Sequence, residues 1–296
     1  MRNQILFTIA GALVLGGLSQ SASAVTIYGL STRNELVRFD SATPGALQQA
    51  SFITGLAVNE SLVGIDFRPS SGALYGLGSF GRIYTLNTAT GAATLMSSIF
   101  NAADSQPIAL SGTEFGIDFN PVPDRLRITS NLGQNLRVNV ASGSTTVDGT
   151  LNQLVGTPYI VASAYTNSFA GATTTTLYNI DSSSDMLTIQ NPPNNGTQVN
   201  VGMLGADVTA LAGMDIITSG ATNTAYAALQ VAGTQGSRLA MVNLGTGAAS
   251  FVGSIGGEQT SDSLAIRDIA VQAVPEPTTM AALGLGAAAI LRRRKK

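Results

Sequence analysis

The sequence predicts an all-β chain arranged as a five-bladed β-propeller. Three observations lead there: a four-strand unit that repeats, short strands punctuated by turn residues, and termini that complete one unit between them. The repeat is clearest where Leu62-Val63-Gly64-Ile65-Asp66-Phe67-Arg68-Pro69 returns 52 residues later as Glu114-Phe115-Gly116-Ile117-Asp118-Phe119-Asn120-Pro121. Self-similarity at such a period is the mark of stacked repeat architectures, and a unit of about 50 residues holding four short strands is a propeller blade.

The residues after each copy match as well. A strand (Ala73-Leu74-Tyr75 or Arg125-Leu126-Arg127) leads to a turn glycine (Gly81 or Gly133), then a second strand (Arg82 to Asn87 or Asn135 to Asn139), then Thr-Gly or Ser-Gly and a last strand. A weaker third copy starts at Val161-Ala162-Ser163-Ala164-Tyr165, and a clearer fourth at Leu211-Ala212-Gly213-Met214-Asp215-Ile216. Residues 26–54 hold three strands (Thr26 to Leu30, Glu35 to Phe39, Gln48 to Ile53) but no opening strand, and Leu264 to Val271 supplies one at the far end. Completing the first unit from both termini closes a ring and leaves no long sheet edge exposed. The alternative organisation is a β-sandwich or a pair of small β-domains.

Within the units, Arg125-Leu126-Arg127-Ile128 and Leu136-Arg137-Val138-Asn139-Val140 alternate apolar and polar residues, so each strand turns one face to a core and one to a polar environment. Thr173 to Thr176, leading into Leu177-Tyr178, has the composition of a strand. No stretch of the body has a convincing amphipathic helix period.

The two ends read differently from the body. Residues 1–24 carry a basic start at Arg2, an apolar run from Ile5 to Leu18, and Ala22-Ser23-Ala24, the layout of a secretory signal peptide cut after Ala24. Near the other end, Val274-Pro275-Glu276-Pro277 precedes an apolar stretch from Thr278 to Leu291 and five cations, Arg292 to Lys296. Fourteen helical residues reach only about 21 Å, short of a comfortable bilayer span, so the segment is expected to insert transiently with its cations on the cytoplasmic side. The expected domains are therefore 1–24, 25–273 and 274–296.

Residues 25–277 hold nine arginines and no lysine against seventeen acids, a net charge near −8. Nucleic-acid binding rests on clustered cations and is not expected, nor is attachment to an anionic membrane surface. Cysteine, histidine and tryptophan are absent. The fold thus does without disulfides, and Ser-His-Asp catalysis, Cys-His catalysis and histidine metal sites are excluded. Carboxylate, tyrosine, arginine and hydroxyl chemistry remains.

The acids Asp66, Asp118, Asp215 and Asp268 occupy one equivalent position in four units, and Tyr165 holds it in the remaining full unit. Opening strands of propeller blades line the central channel, so these side chains are candidate channel acids. They would either accept backbone hydrogen bonds between blades, bind a cation such as calcium, or hydrolyse a glycosidic bond. A residue repeated in every unit usually serves the unit, so the scaffold role is preferred. A hydrolase would also need acids that do not repeat, and Glu60, Glu114 and Asp124, beside opening strands, are the candidates.

Four further features are weaker. Asp181-Ser182-Ser183-Ser184-Asp185 spaces oxygens like the start of a calcium loop but lacks its glycine and distant glutamate, so a strand-connecting turn is the better reading. Gly76-Leu77-Gly78 opens a strand, not a helix, and has little phosphate-binding character. Arg125 and Arg127 suit an anionic sugar or simply the exposed face of a strand. Tyr28, Tyr75 and Tyr84 sit in apolar strands and are read as core.

The tail around Pro275-Glu276-Pro277 closely resembles the PEP-CTERM sorting signal of Gram-negative bacteria. That resemblance implies cutting by exosortase and a destination at the cell surface or in an extracellular polysaccharide matrix. The body, on Ile27-Tyr28-Gly29-Leu30, Leu74-Tyr75-Gly76-Leu77 and the two Gly-Ile-Asp-Phe runs, resembles a family of exported bacterial proteins known as domain of unknown function 4394. It implies one repetitive domain and brings no activity, ligand or site residue. The expected function is a non-catalytic binding or structural module with no cofactor and no assigned catalytic residue; the alternative is a secreted carbohydrate hydrolase.

Overall fold

The computed structural model describes residues 24–257 and 263–273, so the signal-peptide and sorting-segment expectations fall outside the described residues, Ala24 apart. Five small sheets stand in a ring around one axis, the arrangement of a five-bladed β-propeller. The first blade receives β1 (Thr26–Ser31), β2 (Glu35–Asp40) and β3 (Leu47–Phe52), and the second β4 (Leu62–Phe67), β5 (Leu74–Gly78), β6 (Arg82–Leu86) and β7 (Ala93–Ser98). After the short β8 (Phe100–Asn101), the third blade is β9 (Phe115–Asn120), β10 (Arg125–Ser130), β11 (Asn135–Val138) and β12 (Ser144–Val147).

The short β13 (Asn152–Gln153) precedes the fourth blade, made of β14 (Ile160–Tyr165), β15 (Leu177–Asp181), β16 (Met186–Gln190) and β17 (Thr197–Met203). The fifth blade is β18 (Val208–Ser219), β19 (Thr222–Val231), β20 (Arg238–Val242) and β21 (Ala249–Ser254). Finally β22 (Ile266–Val271) returns to the first blade and pairs antiparallel with β1, Ile27 opposite Val271 and Tyr28 opposite Ala270. The terminal strand therefore closes the ring as the repeat arithmetic predicts.

Each blade is an antiparallel meander, because short turns suffice between neighbouring strands. The Thr-Gly and Ser-Gly pairs make the outermost turns: Gly91, Gly143 and Gly247 have φ of 75°, 80° and 80°, a region that side chains disfavour. Connections between blades run onto the outer strand of the blade they enter. Thr54 bridges Ala92, β8 pairs parallel with β12, and β13 pairs parallel with β17. These short parallel pairings shield edges that would otherwise offer free backbone groups.

The core is divided into seams between blades. Apolar clusters fill four of the five among the described residues; the seam between the first two blades, for example, packs Tyr28, Leu30, Leu36, Ile65, Leu74 and Tyr84. The seam between the third and fourth blades is polar instead. Thr129 Oγ1 and Ser163 Oγ lie 2.7 Å apart, Ser163 reaches Asn179, and Asn179 Nδ2 donates to both Gln190 and Gln198.

Two expectations are corrected. Thr173 to Thr176 lies in the loop between β14 and β15, folded back by Thr175 Oγ1 donating to Thr166 O and Thr176 N donating to Thr166 Oγ1. Arg127 is not on an exposed face: it is 1% exposed, because its alternation faces the neighbouring blade and not solvent. Arg125 remains at the surface side, donating to Pro123 O and Asp124 O. Tyr28, Tyr75 and Tyr84 are buried as core. Among the described residues no helix is long and apolar enough to cross a membrane.

Candidate functional site

The inner strands β22, β4, β9, β14 and β18 touch one another in ring order about the axis. Their close approach depends on the glycine of the repeated Gly-Ile-Asp-Phe run. A Cβ on Gly116 would lie 2.5 Å from Ser163 N, and one on Gly64 would lie 2.8 Å from Ile117 Cγ1 and 2.9 Å from Asp268 Oδ2. Gly213 is likewise pressed against the backbone of Asp268. Two residues beyond these glycines, β4, β9 and β18 each turn an aspartate toward the hub, since alternate side chains share a face.

Asp66, Asp118, Asp215 and Asp268 are all buried, and one carboxylate oxygen from each of Asp66, Asp118 and Asp215 lies within 4.8 Å of the others. Each acid accepts a backbone N–H from another blade: Phe119 N donates to Asp66 Oδ2 at 2.7 Å, Ile65 N to Asp268 Oδ2 at 2.9 Å, Val271 N to Asp215 Oδ2, and Tyr165 N to Asp118. The acids thus join successive inner strands. One atom is left over: Asp118 Oδ1 is buried without a hydrogen-bond partner.

None of the five ion pairs among the described residues includes a hub acid, although Arg267 lies near enough to favour the charged form of Asp268. Burial raises all four carboxyls above the ordinary range, Asp215 to about 6. Repulsion from neighbouring aspartates adds to burial for Asp66, Asp118 and Asp268. Tyr165, standing in the aspartate's place on β14, accepts a 3.1 Å hydrogen bond from Arg127 Nε.

One mouth of the channel opens as a cavity of about 620 Å³. Asp66 and Asp215 are at its base, and Arg68, Ser168, Phe169, Thr218 and Gln272 are among the residues around it. Phe169, on the β14–β15 loop, is 46% exposed.

The three non-repeated acids do not gather at this mouth. Glu60 and Glu114 precede inner strands at one end, whereas Asp124 comes after an inner strand at the other. All three are engaged. Glu60 accepts from Phe80 N, Arg82 Nη1 and, at 2.6 Å, Tyr84 Oη. Glu114 pairs with Arg267 at 3.1 Å, and Asp124 accepts two hydrogen bonds from Arg68, which hold its carboxyl below the usual range. The stretch Asp181 to Asp185 is the turn joining β15 to β16, with Asp181 Oδ1 accepting from Ser183 N, and Gly76-Leu77-Gly78 is buried inside β5.

Sequence reasoning missed a second buried charge cluster. Asp148 accepts from Arg127 Nη1 at 2.6 Å and from Arg137 Nε at 2.7 Å, while Arg127 also donates to Asn135 and Asn194. Arg127, Arg137 and Asp148 belong to one blade, but Asn194 comes from the next, and no local pattern announces the cluster. Phe169 was missed as well, because a lone aromatic in a polar loop carries no spacing signal.

One solved structure agrees on the fold. A structural-genomics protein of unknown function from Bacteroides thetaiotaomicron matches with a TM-score of 0.51 at 16% identity, over 85% of this chain and 66% of that one. A chain of a nidogen/laminin complex matches at 0.47 and 10% identity, over 84% and 98%. No curated protein sequence matches. A PEP-CTERM protein-sorting motif covers residues 273–295, which marks the protein as one exported and processed at the membrane. The family model described as Domain of unknown function (DUF4394) covers residues 35–270, and the chain belongs to that family.

Proposed function

We propose that the protein is a non-catalytic binding module of the cell exterior, whose propeller takes a saccharide of the surrounding matrix at the channel mouth. The observation that carries this reading is the mouth cavity itself. It sets the half-exposed ring of Phe169 among Arg68, Ser168, Thr218 and Gln272, the mixture of one aromatic face and several hydrogen-bonding groups that suits a sugar. The sorting motif supports the setting: residues 1–24 would direct export, and an exosortase would remove the segment after Pro275-Glu276-Pro277 and leave the propeller at the surface of a Gram-negative cell.

The hydrolase alternative fares worse on burial and hydrogen bonding. Glycosidases present two carboxyls to the scissile bond and to water, whereas the hub carboxyls are buried and each accepts a backbone N–H from another blade. Glu60, Glu114 and Asp124 are each engaged by an arginine.

The test uses the protein recovered from the medium or surface of cells expressing the full gene. It should cosediment with the polysaccharide of a matrix-forming bacterium and release no reducing sugar from it. Phe169→Ala should weaken retention about tenfold, the usual loss when a contact aromatic is truncated. Release of reducing sugar, or retention indifferent to Phe169, would overturn the proposal.

A further inference from the structure

We propose that the hub of the propeller is a calcium site, with carboxylate oxygens of Asp66, Asp118 and Asp215 as its protein ligands and its remaining coordination positions facing the mouth cavity. The site does not depend on what the mouth binds.

Spacing is the first ground. Calcium takes oxygen ligands at about 2.3–2.6 Å, so two oxygens sharing one ion stand no more than about 5 Å apart. The three hub carboxylates meet that limit pairwise, their oxygens lying within 4.8 Å of one another. The donor set is all hard oxygen, with no histidine or cysteine anywhere in the chain, which favours calcium or magnesium over zinc or copper. Calcium fits better of the two, because these carboxylates are fixed by the inner strands and magnesium requires a near-ideal octahedron.

Asp118 Oδ1 is the second ground, and it is independent of spacing. Hydrogen bonding between blades accounts for Asp66, Asp215 and Asp268, whose oxygens accept Phe119 N, Val271 N and Ile65 N. It accounts for one oxygen of Asp118 through Tyr165 N, and leaves Oδ1 buried and unpartnered on a side chain 1% exposed. A buried acceptor left bare is costly, and a cation between the three acids would satisfy it. The backbone donors meanwhile orient each carboxylate and leave lone pairs free, as supporting hydrogen bonds do around metal ligands.

Access is the third. Asp66 and Asp215 reach the base of the 620 Å³ cavity, so an ion has an entry path, and water or a ligand oxygen can complete its shell from that side. Asp268, adjoining the three, adds charge to the site while both its oxygens accept backbone N–H groups from Ile65 and Ile269.

The test is calorimetric titration of the exported protein with calcium chloride after dialysis against chelator, with melting followed in parallel. One ion per chain should bind, and saturating calcium should raise the melting temperature by on the order of 5 °C. Asp118→Asn should weaken binding at least tenfold, while Asp185→Asn, in the β15–β16 turn, should leave affinity and stoichiometry unchanged. If Asp118→Asn fails to fold, Asp66→Asn takes its place, and the parent titration stands by itself. No calcium bound at millimolar concentration, or binding abolished by Asp185→Asn and not by the hub variants, would overturn the site.

Discussion

The hub and the seam between the third and fourth blades are both buried and polar, yet they neutralise their acids in opposite ways. In the seam, Asp148 sits between Arg127 and Arg137, and Arg127 spends its remaining donors on Tyr165, Asn135 and Asn194. At the hub, the aspartates of four blades converge with backbone N–H groups and one another for company. A seam of that kind is a closed network that fixes how two blades dock. A hub of that kind holds a net demand for positive charge, which protons or a cation must meet. The difference separates a polar group built for the fold from one that leaves chemistry unfinished.

The same substitution should therefore act oppositely in the two regions, and the larger effect belongs to the seam. Asp148→Asn strips the counter-charge from Arg127, which is 1% exposed, and from Arg137. Breaking a buried pair on one side costs about 3–5 kcal/mol, so the urea midpoint should fall sharply. A fall of less than about 1 kcal/mol would mean that Asn135, Asn194 and Tyr165 hold Arg127 without its acid, and the contrast with the hub would weaken.

Next in size is the response to pH. In chelator, Asp215 titrates near 6 in the folded chain against an ordinary value of 3.8, raised by burial, with Asp66, Asp118 and Asp268 facing it, Tyr165 on β14 and Arg267 beside Asp268 on β22. A folded pKa above the unfolded one means that the folded hub keeps a proton the unfolded chain has released. Its contribution is thus complete below the unfolded pKa and is lost as pH rises through about 6. The loss is on the order of 3 kcal/mol for that group. Chelated protein should melt at a higher temperature at pH 5 than at pH 7.5, and calcium should flatten or reverse the difference, since the ion binds deprotonated carboxylates. A chelated protein whose stability rises over that range would show that the hub is neutralised by something else.

Legibility in the sequence divides along the same line. The blades could be read because Gly-Ile-Asp-Phe recurs: its glycine is required where inner strands press together, its apolar residues fill a seam, and its aspartate ties blade to blade. A residue that serves every unit leaves a periodic trace. Arg127, Asp148, Asn179 and Gln190 serve one seam once and leave no periodic trace, so alternation alone put Arg127 on the wrong face. Convergence of the acids was legible from topology, but the bare oxygen on Asp118 was not, because it depends on which backbone N–H each carboxylate meets.

The smaller predictions sharpen the comparison at its edges. In chelator, Asp118→Asn should leave the protein as stable as the parent or more stable by about 1 kcal/mol, because the amide oxygen can still accept from Tyr165 N while one unit of mutual repulsion disappears. Asp124→Asn should cost still less, below about 1 kcal/mol, for the Arg68–Asp124 pair is partly exposed, with side chains 22% and 34% accessible, and solvent screens what it contributes. A buried acid with two arginines, a buried acid with none and a half-exposed acid with one then give three differently signed or sized responses to one chemical change. Should Asp118→Asn instead destabilise the chelated protein as much as Asp148→Asn does, the hub aspartates would be joints of the scaffold alone, and their convergence at the base of the mouth would result from five-fold packing without a further role.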